Sequence, residues 1–361
     1  MEYSVDLLSK NPINSLMENG EFFITILNGQ LIQNLCNLPN GAELTSTGHL
    51  NKKHMPKAFK AVHVSRQGND VLGCLLKFNS SKENDVCVHI NHISTKDGVE
   101  KVEIHNRFVV CKNANINIIE QAFCLEIDHL GHQKKVTSEW LLEEGASLSY
   151  YGFGEVNSQP QSRQTNTISI QQKQNSVCDF FTFYWDSCWV ENKINAELLE
   201  KNTTCRLHSI SLLKKNSCVN NNIIITHHAS DCESEQNYKG VYDEESKGVF
   251  NGIVVVKRDA QNTNAFQNNN NILLSDYASI QSNPQLEIFA DDVKCSHGST
   301  TGQLDQKALF YLRSRGCSEA LANNILLQAF LNSVLESVQH PELKKSIILT
   351  LNKKLDINQA D

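Results

Sequence analysis

Between residues 71 and 300 the apolar positions fall in short runs, not in helical stripes: 86–90, 102–104, 108–111, 116–119, 180–185, 210–213, 223–226, 252–256, 272–274 and 286–289. Gly, Asn, Ser and Asp separate them, residues that make turns by adopting positive φ or by bonding neighbouring main chain. No amphipathic helix pattern interrupts the series. Many short strands with regular turn signals fit a sandwich, a barrel or a solenoid. A sandwich rarely needs a segment this long, so the length favours stacked coils, and coils of about 20 or more residues give roughly ten turns. The Asn runs 220–222 and 268–271 suit that architecture, because Asn tolerates left-handed corners and stacks into ladders; polar loops are the other explanation of the same runs.

The flanks read differently. Residues 1–70 form a small mixed region, with a helical pattern from Asp6 to Met17 and an apolar run, 22–27, halted by Asn28-Gly29 as a strand meeting a turn. Pro39-Asn40-Gly41 reads as loop. Residues 301–361 are helical. Asp305 caps a helix running to Arg315, with Gly316 at the position where helices reverse. Ser318 caps a second, 319–338, whose apolar residues recur at three- and four-residue steps. His340-Pro341 breaks it, and 342–355 forms a third. Its wide apolar stripe predicts docking on the end of the β region or a face for a partner. The chain thus divides into a mixed region 1–70, a β core 71–300 and a helical domain 301–361.

The 361 residues carry 33 Lys and Arg against 40 Asp and Glu, a formal charge of −7. A general nucleic-acid binder needs a basic surface, so that class is set aside. No stretch has the ~20 apolar residues of a membrane helix, and the start, MEYSVDLLSKN, lacks the basic and apolar segments of a secretion signal. The expectation is a cytoplasmic protein. Twelve cysteines include no C-x-x-C pair, which argues against zinc ribbons, redox pairs and ferredoxin-type clusters. Most are expected to be small buried hydrophobes. No G-x-x-x-x-G-K-[ST], G-x-S-x-G or H-E-x-x-H occurs.

Four segments carry a long, ordered resemblance: YKGVYDEESKGVFNGIVVV (238–256), AQNTNAFQNNNNILLSDYA (260–278), PQLEIFADDVKCSHGSTTGQLD (284–305) and ALFYLRSRG (308–316). They resemble the SufD branch of the SufB/SufD family of iron–sulfur cluster assembly proteins, and FFITILNGQL (22–31) is weakly similar to the same family. The resemblance implies a mainly β fold, a right-handed parallel β-helix with a C-terminal helical domain. It implies a non-catalytic scaffold in a cytoplasmic complex with SufB and two copies of the SufC ATPase, supplied with sulfide by a cysteine desulfurase system and with electrons by reduced FAD. SufB-type sequences carry Glu-His-Glu where this chain has Cys295-Ser296-His297-Gly298.

His297 matches the family's histidine implicated in cluster formation. On a strand, Cys295 and His297 share a face, so a thiolate and an imidazole could meet one iron or sulfur species. Two ligands leave a site incomplete, and the resemblance implies that SufB supplies the rest of a transient, shared metal site. The segment Leu309, Phe310, Tyr311, Leu312, Arg313, Arg315 and Gly316 matches the SufC-docking helix; the two arginines equally suit the negative end of a helix dipole. Cys317 stands where the family usually has an apolar residue, as a buried substitute.

Other candidates have plainer explanations. Asp291-Asp292 suit a coil corner, their carboxylates bonding main-chain donors, better than paired acid–base catalysis. His227-His228 face opposite sides of a strand and cannot share a metal. Phe180, Phe181, Phe183, Tyr184, Trp185 and Trp189 read as interior stacking. Two other functions compete with the scaffold: a SufB-like homodimeric cluster carrier, and a solenoid enzyme acting on polysaccharide, which would need clustered carboxylates in a groove. A homodimer of the isolated chain is compatible with the first two.

Overall fold

The computed structural model describes residues 22–32, 36–46, 73–79, 86–94, 101–124, 133–154, 162–185 and 189–355; the helical pattern of residues 6–17 lies outside them. The apolar runs mark strands, but the strands are longer, many of ten residues, because alternating polar positions extend them. Runs 102–104 and 108–111, for instance, fall along the single strand Lys101–Val110 and its end.

From Cys74–Phe78 onward, successive strands alternate between two sheets. The first holds Phe22–Leu27, Val86–Ser94, Asn115–Cys124, Ser147–Phe153, Val177–Trp185, Thr204–Leu213, Glu233–Tyr242, Thr263–Leu273 and Val293–Gly302, with Gln30–Leu31 at its margin. The second holds Ala42–Ser46, Cys74–Phe78, Lys101–Val110, Gln133–Leu142, Arg163–Gln172, Trp189–Leu198, Cys218–His227, Lys247–Val256 and Ser279–Ile288. Pairing between coils is parallel, so each coil places one strand in each sheet and the chain is a parallel β-solenoid of about 7 turns. Coil length runs from 26 residues (Arg163 opposite Trp189) to 32 (Lys247 opposite Ser279). The expectation of ten shorter coils is therefore corrected: each turn spends two strands and two corners, and its polar, outward half is invisible to a count of apolar runs.

Parallel stacking in register superimposes like on like. Phe108 stacks on Trp140 with ring centroids 3.8 Å apart, and Tyr150 on Phe180 at 3.9 Å. Asn283 donates to Asn251, and Asn251 to Asn222, at 2.8 Å each, so the run 220–222 does enter a ladder. The corners use other asparagines. Asn113, Asn175, Asn202 and Asn262 hold φ between 56 and 59°, conformations that Asn adopts more readily than most residues, and Asn202 bonds Asn175 from one corner to the next. Asp291 and Asp292 also sit at a corner, but its bonds run through the main chain and Gln261: Asn262 N–H donates to the Asp292 carbonyl, and Asp292 N–H to Gln261 Oε1.

The aromatic segment splits by alternation. Phe180 lies in the lumen, whereas Phe181 and Phe183 point outward beneath the C-terminal helices. Those helices are Gln306–Ser314, Glu319–Glu336 and Pro341–Lys354, capped by Asp305, Ser318 and His340. Leu331, Leu335, Ile347 and Leu351 share one apolar cluster with Phe181 and Phe183. The wide stripe is thus consumed on the outer face of the first sheet, not on the end of the solenoid. Among the described cysteines, Cys74, Cys111, Cys178, Cys205 and Cys232 are buried and the other five, Cys317 among them, are half-buried.

The two histidines of 227–228 face opposite ways. His227 is sealed in the lumen against Ser234 Oγ at 2.8 Å, while His228 bonds Glu197 outside. Burial lowers His227 to about 4, helped electrostatically by the adjacent His228; burial and Arg206 likewise lower His208 to about 4. Because the fold holds both neutral, their stabilisation is complete above the unfolded value of about 6.5 and is lost as pH falls toward 4, by on the order of 3 kcal/mol each. Urea midpoints should therefore drop between pH 7 and 4.5, and the double variant His208→Gln/His227→Gln should have a flatter pH dependence. An unchanged slope would refute the assignment.

The solenoid's two ends differ. At the N-terminal end the outermost described strands are short and antiparallel, Gln30–Leu31 against Phe22–Leu27 and Ala42–Ser46 against Cys74–Phe78. At the other end, among the described residues, Ser279–Ile288 and Val293–Gly302 each have one sheet neighbour and no strand lies along the opposite edge. Pro284, which has no N–H, sits in the middle of the first of them, as only an edge strand tolerates.

Candidate functional site at the open end of the solenoid

Val293–Gly302 carries the Cys-x-His pair. Register sets Cys295 beside Ala265 and His297 beside Gln267, both partners being buried lumen residues. The pair therefore points to the inside of the coil, as the i, i+2 spacing predicts. Among the described residues no next coil covers it. In Thr263–Leu273 the lumen positions Thr263, Ala265, Gln267, Asn269 and Asn271 are all buried, whereas no residue of Val293–Gly302 or Ser279–Ile288 is. His297 is exposed and Cys295 half-buried. The imidazole faces the lumen and is nevertheless open to a second chain stacked on this end.

The surroundings distinguish the two side chains. Cys295 packs against the cluster of Val254, Val256, Ala260, Ala265 and Ala290. Burial pushes its thiol upward, with partial relief from the Ala265 main chain, so it binds metal only by giving up a proton. His297 lies two residues nearer the rim. Across the lumen Ser299 donates to Ser282 Oγ at 2.8 Å, joining the two edge strands. Among the described residues no group of three or more His, Cys, Asp or Glu side chains could hold a metal ion. Cys295 and His297 amount at most to half of a tetrahedral set.

A second exposed feature follows directly along the chain. The helix Gln306–Ser314 has no buried residue, and Phe310 and Tyr311 are 74% and 57% exposed. Leu309 and Leu312 are half-buried. Arg313 pairs with Glu319 at 3.2 Å, and Arg315 lies 5.2 Å over the Tyr311 ring. Arg313 is the basic residue of the last turn, suited to the dipole, and Arg315 is the C-cap, so the arginines border the aromatic pair. Gly316 takes φ 94°, ending the helix as expected.

Sequence reasoning found Cys295, His297 and the aromatic helix, and missed what lies around them. Gln267, Ser282 and Asn283 are 30, 15 and 14 positions from His297 in the chain and meet this end only through register. The repeat length, once known, would have paired Gln267 with His297. A flavin needs cations for its phosphates and an aromatic face for its rings. Lys101, Lys135, Arg163 and Trp189 line one cleft of about 370 Å³. Glu103 already lies 4.0 and 3.9 Å from the two lysines, and Arg163 covers the Trp189 ring at 5.2 Å. Lys134 lines it as well, so four cations face one carboxylate and the cleft stays net positive; what is already taken is the indole face, which Arg163 covers.

Comparison with known proteins gives a family-level match. The model for the SUF system FeS cluster assembly, SufBD core domain, matches residues 92–330, more than half of the chain and both the terminal coil and the first C-terminal helix. The chain is 33% identical over 166 residues to the iron–sulfur cluster assembly protein SufD of Escherichia coli (strain K12), covering 46% of this chain and 39% of that protein. It is 45% identical over 105 residues to a SufBD family protein of Synechocystis sp., covering 29% and 23% of the two chains. Against SufD of Bacillus subtilis (strain 168) it is 31% identical over 116 residues, covering 32% and 26%. In each case the match spans less than half of the relative's length.

Proposed function

The chain belongs to the SufBD core family of the SUF iron–sulfur cluster assembly system, and from that premise we propose that it is a scaffold subunit, SufD-like, and not itself an enzyme. In this proposal its open coil end stacks on SufB, its exposed helix holds SufC, and His297, with Cys295 behind it, faces the seam where a nascent cluster forms. The single observation that carries the proposal is the exposed lumen of the last coil: ten-residue edge strands uncovered among the described residues, and an inward-pointing imidazole that is exposed and open to a neighbouring chain.

Physical reasons support each part. A long unprotected edge invites pairing, and proteins that stay apart blunt such edges with charge, bulges or cover. Here the described edge strands at the N-terminal end are short, two and five residues, while those at the other end run ten residues, so the longer edge for stacking lies beside His297. Two ligands cannot hold an iron–sulfur cluster alone, so the metal and sulfide are cargo shared with the partner. ATP turnover belongs to SufC, in keeping with a sequence that has no P-loop. Sulfide comes from the cysteine desulfurase system and electrons from reduced FAD held elsewhere in the complex. No helix among the described residues is long and apolar enough to cross a membrane, and we assign the assembly to the cytoplasm.

Co-expression of the tagged chain with SufB and SufC tests this. Native mass spectrometry should find one copy of this chain with one SufB and two SufC. Iron–sulfide reconstitution of the chain alone should leave no stoichiometric cluster. A self-associated chain that ignores SufB and binds a tight cluster would instead establish the homodimeric carrier.

A further inference from the structure

The residue under His297 has an unfinished hydrogen-bond account. Gln267 is 1% exposed, and its Nε2 donates to Gln236 Oε1, one coil further in, at 3.0 Å. Its Oε1 is buried with no partner. An orphaned carbonyl of this kind costs about 1–3 kcal/mol, so a buried amide left half-satisfied wants an explanation. Register supplies one: Gln267 is paired with Gln236 on one side and with His297 on the other. With Nε2 committed inward, the free acceptor is left for the outer neighbour.

The opposite wall is shaped around the same side chain. A Cβ built on Gly252 would fall 2.2 Å from Gln267 Nε2, so a larger residue there would displace the amide from the place it now holds. Gly252 pairs in turn with Pro284 of the edge strand, which lines the lumen at the level of His297. The amide is thus held from below by Gln236 and from across the lumen by a residue without a side chain.

We propose that Gln267 is a positioning residue for His297: its Oε1 accepts the N–H of one imidazole nitrogen, fixing the tautomer and presenting the lone pair of the other to the seam. Neutral imidazole has one donor and one acceptor nitrogen, and only the acceptor can bind metal. Ligating histidines commonly have the second nitrogen tied to a carbonyl or carboxylate, and loss of that partner costs 10–100-fold in affinity or activity. The inference rests on the reading of His297 as a cluster-site residue, but it concerns the imidazole's state before any cluster arrives.

The test uses the full chain, alone and in complex with SufB and SufC. Nitrogen-15 spectra of labelled His297 should show one dominant tautomer in the parent chain. Gln267→Met, similar in length but without an acceptor, should return it to the mixture of a free imidazole. Gln267→Glu, which keeps an acceptor, should restore the single tautomer. Cluster formation by the complex should slow about tenfold or more with Met and recover with Glu. Thermal melts identify any variant that fails to fold, and the Glu variant then carries the comparison alone. An unchanged tautomer in Gln267→Met sinks the inference and leaves the role of His297 standing. An altered tautomer in a complex whose cluster yield survives His297→Ala keeps the hydrogen bond and removes the functional reading.

Discussion

His297→Ala should abolish cluster formation by the proposed complex while leaving the chain folded and the complex intact. The side chain sits on an edge strand with no buried position, so its loss opens no cavity and costs little stability, in contrast to large-to-small changes in a packed core. What it removes is the exposed ligand of a Cys-x-His pair whose other member is half-buried and protonated at rest. Iron would lose the imidazole, a good ligand for it, and Cys295 cannot replace it without first surrendering its proton. Cluster absorbance after anaerobic reconstitution of the mutant complex should stay at background, at unchanged thermal midpoint and subunit stoichiometry. Cys295→Ala should lower yield less, because its thiol lies deeper. A full yield from the His297→Ala complex would remove the site from this end of the solenoid.

Phe310→Glu together with Tyr311→Glu should release SufC without disturbing the solenoid. Their helix has no buried residue, and the two rings are among the most exposed large apolar groups of the chain. Aromatic anchors of this kind typically contribute 2 kcal/mol or more each at an interface, so the double change should weaken SufC binding at least several hundredfold. Titration with SufC reads the loss directly, and circular dichroism checks the fold. Arg313 is a sterner control than a distant residue, since it pairs with Glu319 within the chain: Arg313→Ala should weaken binding only a few-fold, as exposed ion pairs contribute little. Undiminished binding by the aromatic double variant would mean that SufC docks elsewhere.

How much of this was legible in the residues differs from element to element. Caps were plain at Asp305 and Ser318, because a cap involves only residues two or three positions apart, whereas His340-Pro341 read only as a break and proved to be the third helix's cap and first residue. Strand positions were plain as well, although their lengths were not, since polar outward residues such as Lys101, Glu103 and His105 extend a strand without marking it. Coil length was misjudged for the same reason. The helical stripe at Leu327, Leu331 and Leu335 was recognisable as apolar, yet its seat on Phe181 and Phe183 was not, for nothing in either segment names the other.

The sequence by itself determined the class of fold, the start of each C-terminal helix, the family, and the two residues at the centre of the proposed site. All of these rest on local alternation, local capping or ordered motifs, which survive being read one window at a time. Only the tertiary structure decided that the last coil is bare, that His297 faces a lumen and yet remains accessible, and that Gln267 lies beneath it with a carbonyl to spare. Those facts depend on hydrogen-bond register between strands about 30 residues apart, and a shift of one position would turn every such side chain to the other face.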